Sequence, residues 1–225
     1  MCGRFALGLP PKSLAEYFQL DTAPEITPRY NVAPSQSVAT IEIDREKGGR
    51  ALKMKRWGLV PFWAKDNTIG ARLINARAET APEKPSFRSA FKHRRCLIPA
   101  SGFYEWKRSD AGRRPYYFRM HDETPLAFAG LWEHWEGKTG DSIESCTILT
   151  TEANELMRPI HNRMPVILNP EYHDIWLDPH TARREVLEPL LIPYNSESLQ
   201  CYPVSTYVNR PQNEDSKCIE PDTAI

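Results

Sequence analysis

Glycine is scarce in this sequence, 11 residues against 20 prolines. That balance disfavours long helices and predicts a chain of turns and short strands. Disulfide chemistry is equally thin. The five cysteines, at 2, 96, 146, 201 and 218, are odd in number and form no Cys-x-x-Cys pair, which argues against a disulfide framework. Those five and the six histidines show no metal-ligand spacing, so no zinc site and no cofactor are expected. No signal peptide is legible and no apolar run approaches a membrane span, which predicts a cytoplasmic chain without a membrane partner. Repeats, low-complexity blocks and a P-loop are also missing. The 225 residues suffice for one well-buried domain, or at most two small ones.

Net charge is lacking too, with 29 basic against 29 acidic residues. This speaks against wholesale nucleic-acid binding, but the distribution is uneven. Residues 50–114 hold 16 Lys and Arg against 5 Asp and Glu, whereas residues 115–225 hold 8 against 18. The two segments either pair across the fold or leave a basic face fit for a polyanion.

What is present begins at the first residues, Met1-Cys2-Gly3-Arg4. Cys2 is small, so the initiator Met is expected to be removed, leaving an α-amine and a thiol on adjacent carbons. Their reference pKa values are about 7.7–8.0 and about 8.5. This 1,2-aminothiol can condense with an aldehyde to an imine, onto which the thiol closes to give a thiazolidine. The alternative is a small hydrophobe on a frayed terminus.

Along the chain, strands are predicted at residues 2–7, 37–43, 52–57, 95–98, 103–107, 115–120, 126–132, 145–150, 166–168 and 199–204, and helices at 11–20, 87–93, 152–157, 170–177 and 181–190. Residues 21–35 read as a long Pro-rich loop of the kind that is often functional. Trp57 reads as core; Phe62 and Trp63, in an aromatic loop beside Lys and Arg, are core residues or base-stacking platforms. Alternation puts Glu105 on the strand face of Phe103, where enclosure would make it a general acid–base. His161, between Pro159 and Pro165, is a loop histidine or a proton shuttle. The acidic stretch 213–225 reads as a mobile tail after a domain at 1–212.

Taken together and in order, Met1-Cys2-Gly3-Arg4-Phe5, Tyr30–Pro34, Trp57-Gly58, Asn75–Thr80, Gly102–Trp106, Ile160–Pro165, Val204-Ser205 and Val208-Asn209 resemble the SOS response-associated peptidase, or abasic-site processing, family. The resemblance covers nearly the whole chain, to about Asn209. It implies a single α+β domain with a β-rich, barrel-like core and peripheral helices. It also implies covalent capture, through Cys2, of the ring-opened aldehyde of an abasic site in single-stranded DNA, shielding the lesion in the damage response. Catalytic roles would fall to Cys2, Asn75, Glu105 and His161, and DNA contacts to Arg4, Asn31, Arg77, Arg163 and Trp63. Where some members carry two adjacent tryptophans, this chain has Phe62-Trp63. The resemblance further implies self-removal of Met1, weak lyase activity, a monomer without an obligate protein partner, and a bacterial-type cytoplasmic location at the nucleoid during repair. An N-terminal-nucleophile amidohydrolase, a true peptidase and a non-covalent single-strand binder remain as alternatives.

Overall fold

The computed structural model describes residues 2–44, 46–110, 112–138 and 140–222. In chain order the elements are β1 (Phe5–Leu7), α1 (Pro11–Phe18), β2 (Arg29–Val32), β3 (Ser37–Ile43), β4 (Arg50–Trp57), β5 (Asn75–Arg77), α2 (Arg88–His93), β6 (Arg95–Ala100), β7 (Gly102–Ser109), β8 (Gly112–Met120), β9 (Leu126–Glu136), β10 (Ser142–Glu152), β11 (Arg163–Pro165), α3 (His173–Leu177), α4 (Arg184–Leu187) and β12 (Leu199–Pro203). Five strands close a barrel in the order β10-β4-β3-β6-β9, with β9 pairing back onto β10. A second sheet runs β12-β8-β7-β1-β2. The domain is thus α+β around a closed barrel core.

Barrel strands β6 and the first half of β9 are buried on both faces, so they read as near-continuous apolar runs, whereas β4 is mostly half-exposed. Successive residues alternate between two cores. Cys96, Ile98, Phe128 and Ile148 join a cluster with Phe5, Phe103 and Phe118 of the second sheet. Leu97, Ala129, Leu131 and Leu149 join a cluster capped by the helices through Leu14, Phe18, Phe91, Trp176 and Leu187. Proline at the start of α1 fixes φ where the first amide needs no partner, and Leu14 and Phe18, one turn apart, bury its inner face.

A buried charge sits inside this wall. Lys55 has no exposed side chain; its Nζ lies 3.2 Å from Glu42 and 2.9 Å from Glu144, and 4.2 Å from the Trp132 ring centre.

β10 changes partners half-way, and this places the site. Its first half pairs in parallel with Arg56 and Trp57 at the end of β4. Its second half, Ile148–Thr150, pairs in parallel with Asn75–Arg77 of β5. The handover occurs at Gly58, whose φ is +129°. A Cβ there would meet the Gly70 carbonyl oxygen at 2.6 Å, so no side chain fits. Trp57 is fully buried as expected, and its Nε1 donates to the Ile74 carbonyl at 2.8 Å, tying the start of β5 to the barrel.

Several expectations are corrected. β2 forms inside the Pro-rich loop because β1 offers it an edge. Residues 152–157 make no helix; the Asn154 side chain accepts the Met157 amide at 3.0 Å and closes a turn. The strand expected at 166–168 lies earlier, at β11. The stretch 213–222 packs rather than hanging free: Asn213 carries a bond from Asn31, Glu214 pairs with Arg29 at 2.6 Å, and Cys218 is buried. Residues 223–225 of that expected tail lie outside the described residues.

Candidate functional site

β5 is three residues long, so alternation settles its side chains: Ala76 enters the core, while Asn75 and Arg77 share the other face. Asn75 Nδ2 donates to the Cys2 carbonyl at 2.8 Å. Its Oδ1 is buried and accepts no hydrogen bond among the described residues. Cys2 itself has no exposed surface and joins the apolar cluster of Trp57, Ile148, Met157 and Met164. Burial first, and then the charge of Glu105, hold its thiol far above the ordinary range, while the Arg4 amide pulls the other way.

Glu105 projects from β7 on the face of buried Phe103, and only 4% of it is exposed. Burial pushes its carboxyl above the usual carboxylate range, opposed by the charge of His161. That histidine ends a tight turn in which the Ile160 and His161 amides both donate to the Met157 carbonyl, at 2.8 and 3.0 Å. Its Nδ1 is held by the Arg163 main chain, 3.0 Å from the amide and 3.1 Å from the carbonyl. Nε2 is the ring nitrogen that the Arg163 main chain does not hold. Glu105 and His161 line one cavity of about 280 Å³ with Gly3, Arg4, Trp106, Arg108 and Arg113. The arrangement brings Cys2, Asn75, Glu105 and His161 to one place: a thiol, an amide, a carboxyl and an imidazole.

The residues expected to grip DNA divide. Arg77 is exposed, and lines a second cavity, of about 380 Å³, with Arg158 and Arg163. Arg163 is already engaged, bidentate to Glu79 at 2.7 and 2.9 Å and to the Thr150 carbonyl at 2.5 Å. Arg4 donates to Asn31 Oδ1 at 2.7 Å and to the Val208 carbonyl at 3.0 Å, and still lines the cavity at Cys2. Asn31 differs from expectation. It has no exposed surface, and its Nδ2 donates to the carbonyls of Val208, Arg210 and Asn213 at 3.1, 3.0 and 2.7 Å. It seats Arg4 and the 208–213 strap and offers nothing to solvent. Trp63 is 48% exposed and donates to the Pro85 carbonyl at 3.3 Å, but it lines neither cavity.

Part of the basic excess of residues 50–114 is taken up in ion pairs. Arg50 pairs with Asp174, Lys55 with Glu144, and Arg94 with Glu133. The cavity at Glu105 and His161 is also lined by Arg108, Arg113 and Trp106, and the cavity at Arg77 by Arg158, all of which sequence reasoning missed. The signal that could have found the first two is the basic doublets Lys107-Arg108 and Arg113-Arg114 flanking a hairpin turn. Among the described residues no group of three or more His, Cys, Asp or Glu could hold a metal ion, and no helix is long and apolar enough to cross a membrane.

A profile of the SOS response associated peptidase (SRAP) family matches residues 1–211. This chain belongs to the SRAP family. Among its SRAP relatives, the abasic site processing protein YoqW of Bacillus subtilis is 46% identical over 224 residues, spanning 98% of this chain and 99% of that protein. The abasic site processing protein HMCES of Gallus gallus is 32% identical, across 86% of this chain and 66% of the longer protein. The SRAP architecture also superposes on a crystal structure of a protein from Bacteroides thetaiotaomicron with a TM-score of 0.86 and 29% identity, covering 98% of this chain and all of that one.

Proposed function

We propose that the chain processes abasic sites by bonding covalently, through Cys2, to the ring-opened aldehyde of the lesion in single-stranded DNA. The observation that carries this reading is the convergence of Cys2 with Asn75, Glu105 and His161 beside a cavity walled by guanidinium groups. The names of the relatives, abasic site processing proteins, support the same substrate class. Cys2 is deeply set, so the sugar must leave the stack to reach it, which favours a flexible single strand over a paired one.

After Met1 is removed, the Cys2 amine attacks the aldehyde carbon, giving a carbinolamine. Loss of water leaves an imine, and the thiol S–H adds across the C=N bond to close a thiazolidine. One aldehyde and one aminothiol yield the ring and one water, with no change of oxidation state. Glu105, held toward its protonated form by burial, donates to the departing hydroxyl and then takes the thiol proton. A carboxyl raised by burial holds its proton more readily than an ordinary carboxylate, which suits a group that gives and retakes one. His161 Nε2 moves a proton at the ring oxygen of the closed sugar. Asn75 fixes the Cys2 main chain, and its unpartnered Oδ1 accepts from a sugar hydroxyl. The imine stage also permits slow β-elimination, a weak lyase activity.

Incubation of Met1-processed protein, verified by intact mass, with abasic single-stranded DNA should give a shifted band on a denaturing gel. Cys2→Ala, and a chain whose Met1 is retained, should give none. A band that persists in either variant overturns the reading. Glutamine hydrolysis without DNA would favour the amidohydrolase alternative instead.

A further inference from the structure

We propose that the projecting arm of the β7–β8 hairpin is a second phosphate clamp, in which Arg108 and Arg113 hold the DNA backbone on one side of the lesion only. The proposal rests on the DNA reading above and deepens it.

β1 pairs β7 only through Gly102 and Phe103, with one further bond from the Tyr104 amide to the Arg4 carbonyl at 3.0 Å. Beyond Tyr104, β7 pairs with β8 alone; β12 follows β8 as far as Tyr116, the Val204 amide donates to the Pro115 carbonyl at 3.0 Å, and past these residues the strands run out as a two-stranded arm. The register of that arm is electrostatically unfavourable. Arg108 lies directly opposite Arg113 on one face, and Lys107 directly opposite Arg114 on the other. Like charges directly opposite destabilise a strand pair. The second pair is relieved, because Arg114 reaches Asp222 at 3.4 Å. Among the described residues no acidic group reaches Arg108 or Arg113. Both are exposed, and both line the cavity that holds Arg4, Glu105 and His161. The carboxyl in that lining is Glu105, buried at the root of the arm. Three guanidinium groups around one cavity, against a single carboxyl, fit phosphate oxygens bidentately.

The root of the arm is rigid. Trp106 donates from Nε1 to Asn209 at 2.8 Å, and the Arg4 guanidinium lies 5.8 Å from its ring centre. The clamp is therefore fixed relative to Cys2 rather than swinging over it. Arg77, Arg158 and Arg163 line the separate cavity formed by the β5, β10 and β11 side of the molecule. A strand whose lesion sits at Cys2 meets one cationic group before it and another after it, and loss of either is felt on one flank.

The test uses the full chain carrying Arg108→Gln and Arg113→Gln together, with Lys107→Gln and Arg114→Gln together as the outer-face control. Binding to an undamaged single strand is followed by anisotropy from about 50 to 200 mM salt. Loss of two phosphate contacts should make the slope of log affinity against log salt shallower by about 1.4. Crosslinking is then timed on three DNAs, with the lesion flanked on both sides, only 5′ or only 3′. The Arg108/Arg113 variant should be slowed about tenfold on the two-sided DNA and on one of the stubs, and not on the other. The control pair should lose less on every DNA. With the like-charge contact removed, the double variant should melt no lower than wild type, which keeps misfolding out of the result. An unchanged salt slope, or equal slowing on both stubs, overturns the clamp. If wild type binds with the steeper slope yet forms no crosslink, the covalent reading falls and the clamp stands. If crosslinking proceeds normally and the slope does not move, the clamp falls alone.

Discussion

Asn75 offers a sharp perturbation, because its two amide atoms have different fates. Nδ2 donates to the Cys2 carbonyl at 2.8 Å, and Oδ1 has no partner among the described residues. Asn75→Ala leaves a buried carbonyl unsatisfied, which costs about 1–3 kcal/mol. At roughly 2–4 °C per kcal/mol for a chain of this size, Tm should fall by about 2–12 °C. The kinetic effect should be larger. Loss of a single hydrogen bond worth about 1.4 kcal/mol slows a step about tenfold, whereas a 1 Å displacement of a reacting group can cost about 10²-fold. If Asn75 positions the nucleophile, single-turnover crosslinking by Asn75→Ala should therefore slow nearer 100-fold than 10-fold. Asn75→Asp keeps the shape but sets an acceptor against the Cys2 carbonyl, so it should be slower than Ala. The assay is a quenched time course on a denaturing gel, paired with thermal melts. A wild-type rate for Asn75→Ala, or an Asp variant faster than Ala, would refute the reasoning; a Tm loss without a rate loss would make the contact merely structural.

Lys55→Ala takes one of two cations from buried Glu42, which keeps Lys53 at 2.9 Å, and should cost about 1–3 kcal/mol, whereas Lys55→Met should come close to wild type; denaturant melts compare the two. Glu105 gives a pH signature. Its carboxyl lies above the ordinary range when folded, so the folded state binds more protons than the unfolded one once pH exceeds about 4.3. Stability from this group therefore falls as pH rises toward the folded value. The Tm of Glu105→Gln minus that of wild type should grow between pH 4 and pH 8, and a difference that shrinks would contradict the shift.

The barrel was legible because alternation and β-branched runs survive in strands such as β3, whose bounds the sequence predicts to the residue. Trp57 was legible as core for the same reason. β2 was not, since a strand that owes its pairing to β1 carries little pattern of its own. Glu105 was placed correctly on the face of Phe103 by period two alone, yet its enclosure depends on β1 and the 157–161 turn, which local sequence does not reveal. The arginines were least legible. A guanidinium looks the same in sequence whether it meets solvent, as Arg77 does, or Glu79, as Arg163 does. Asn31 sits in a motif that resembles a binding segment, but its amide is spent on three carbonyls near the other end of the chain.

That last fastening has a temporal meaning. The first residues are seated by the last: Arg4 leans on Val208, and Asn31 on Val208, Arg210 and Asn213. On the ribosome the pocket stays unbuilt until those late residues emerge. Throughout synthesis the leading end is accessible to a trimming enzyme, and the assembled protein then offers it no surface at Cys2. The surroundings of Cys2 are thus completed only with the finished chain, and a truncated copy lacks the seating of Arg4 and Asn31.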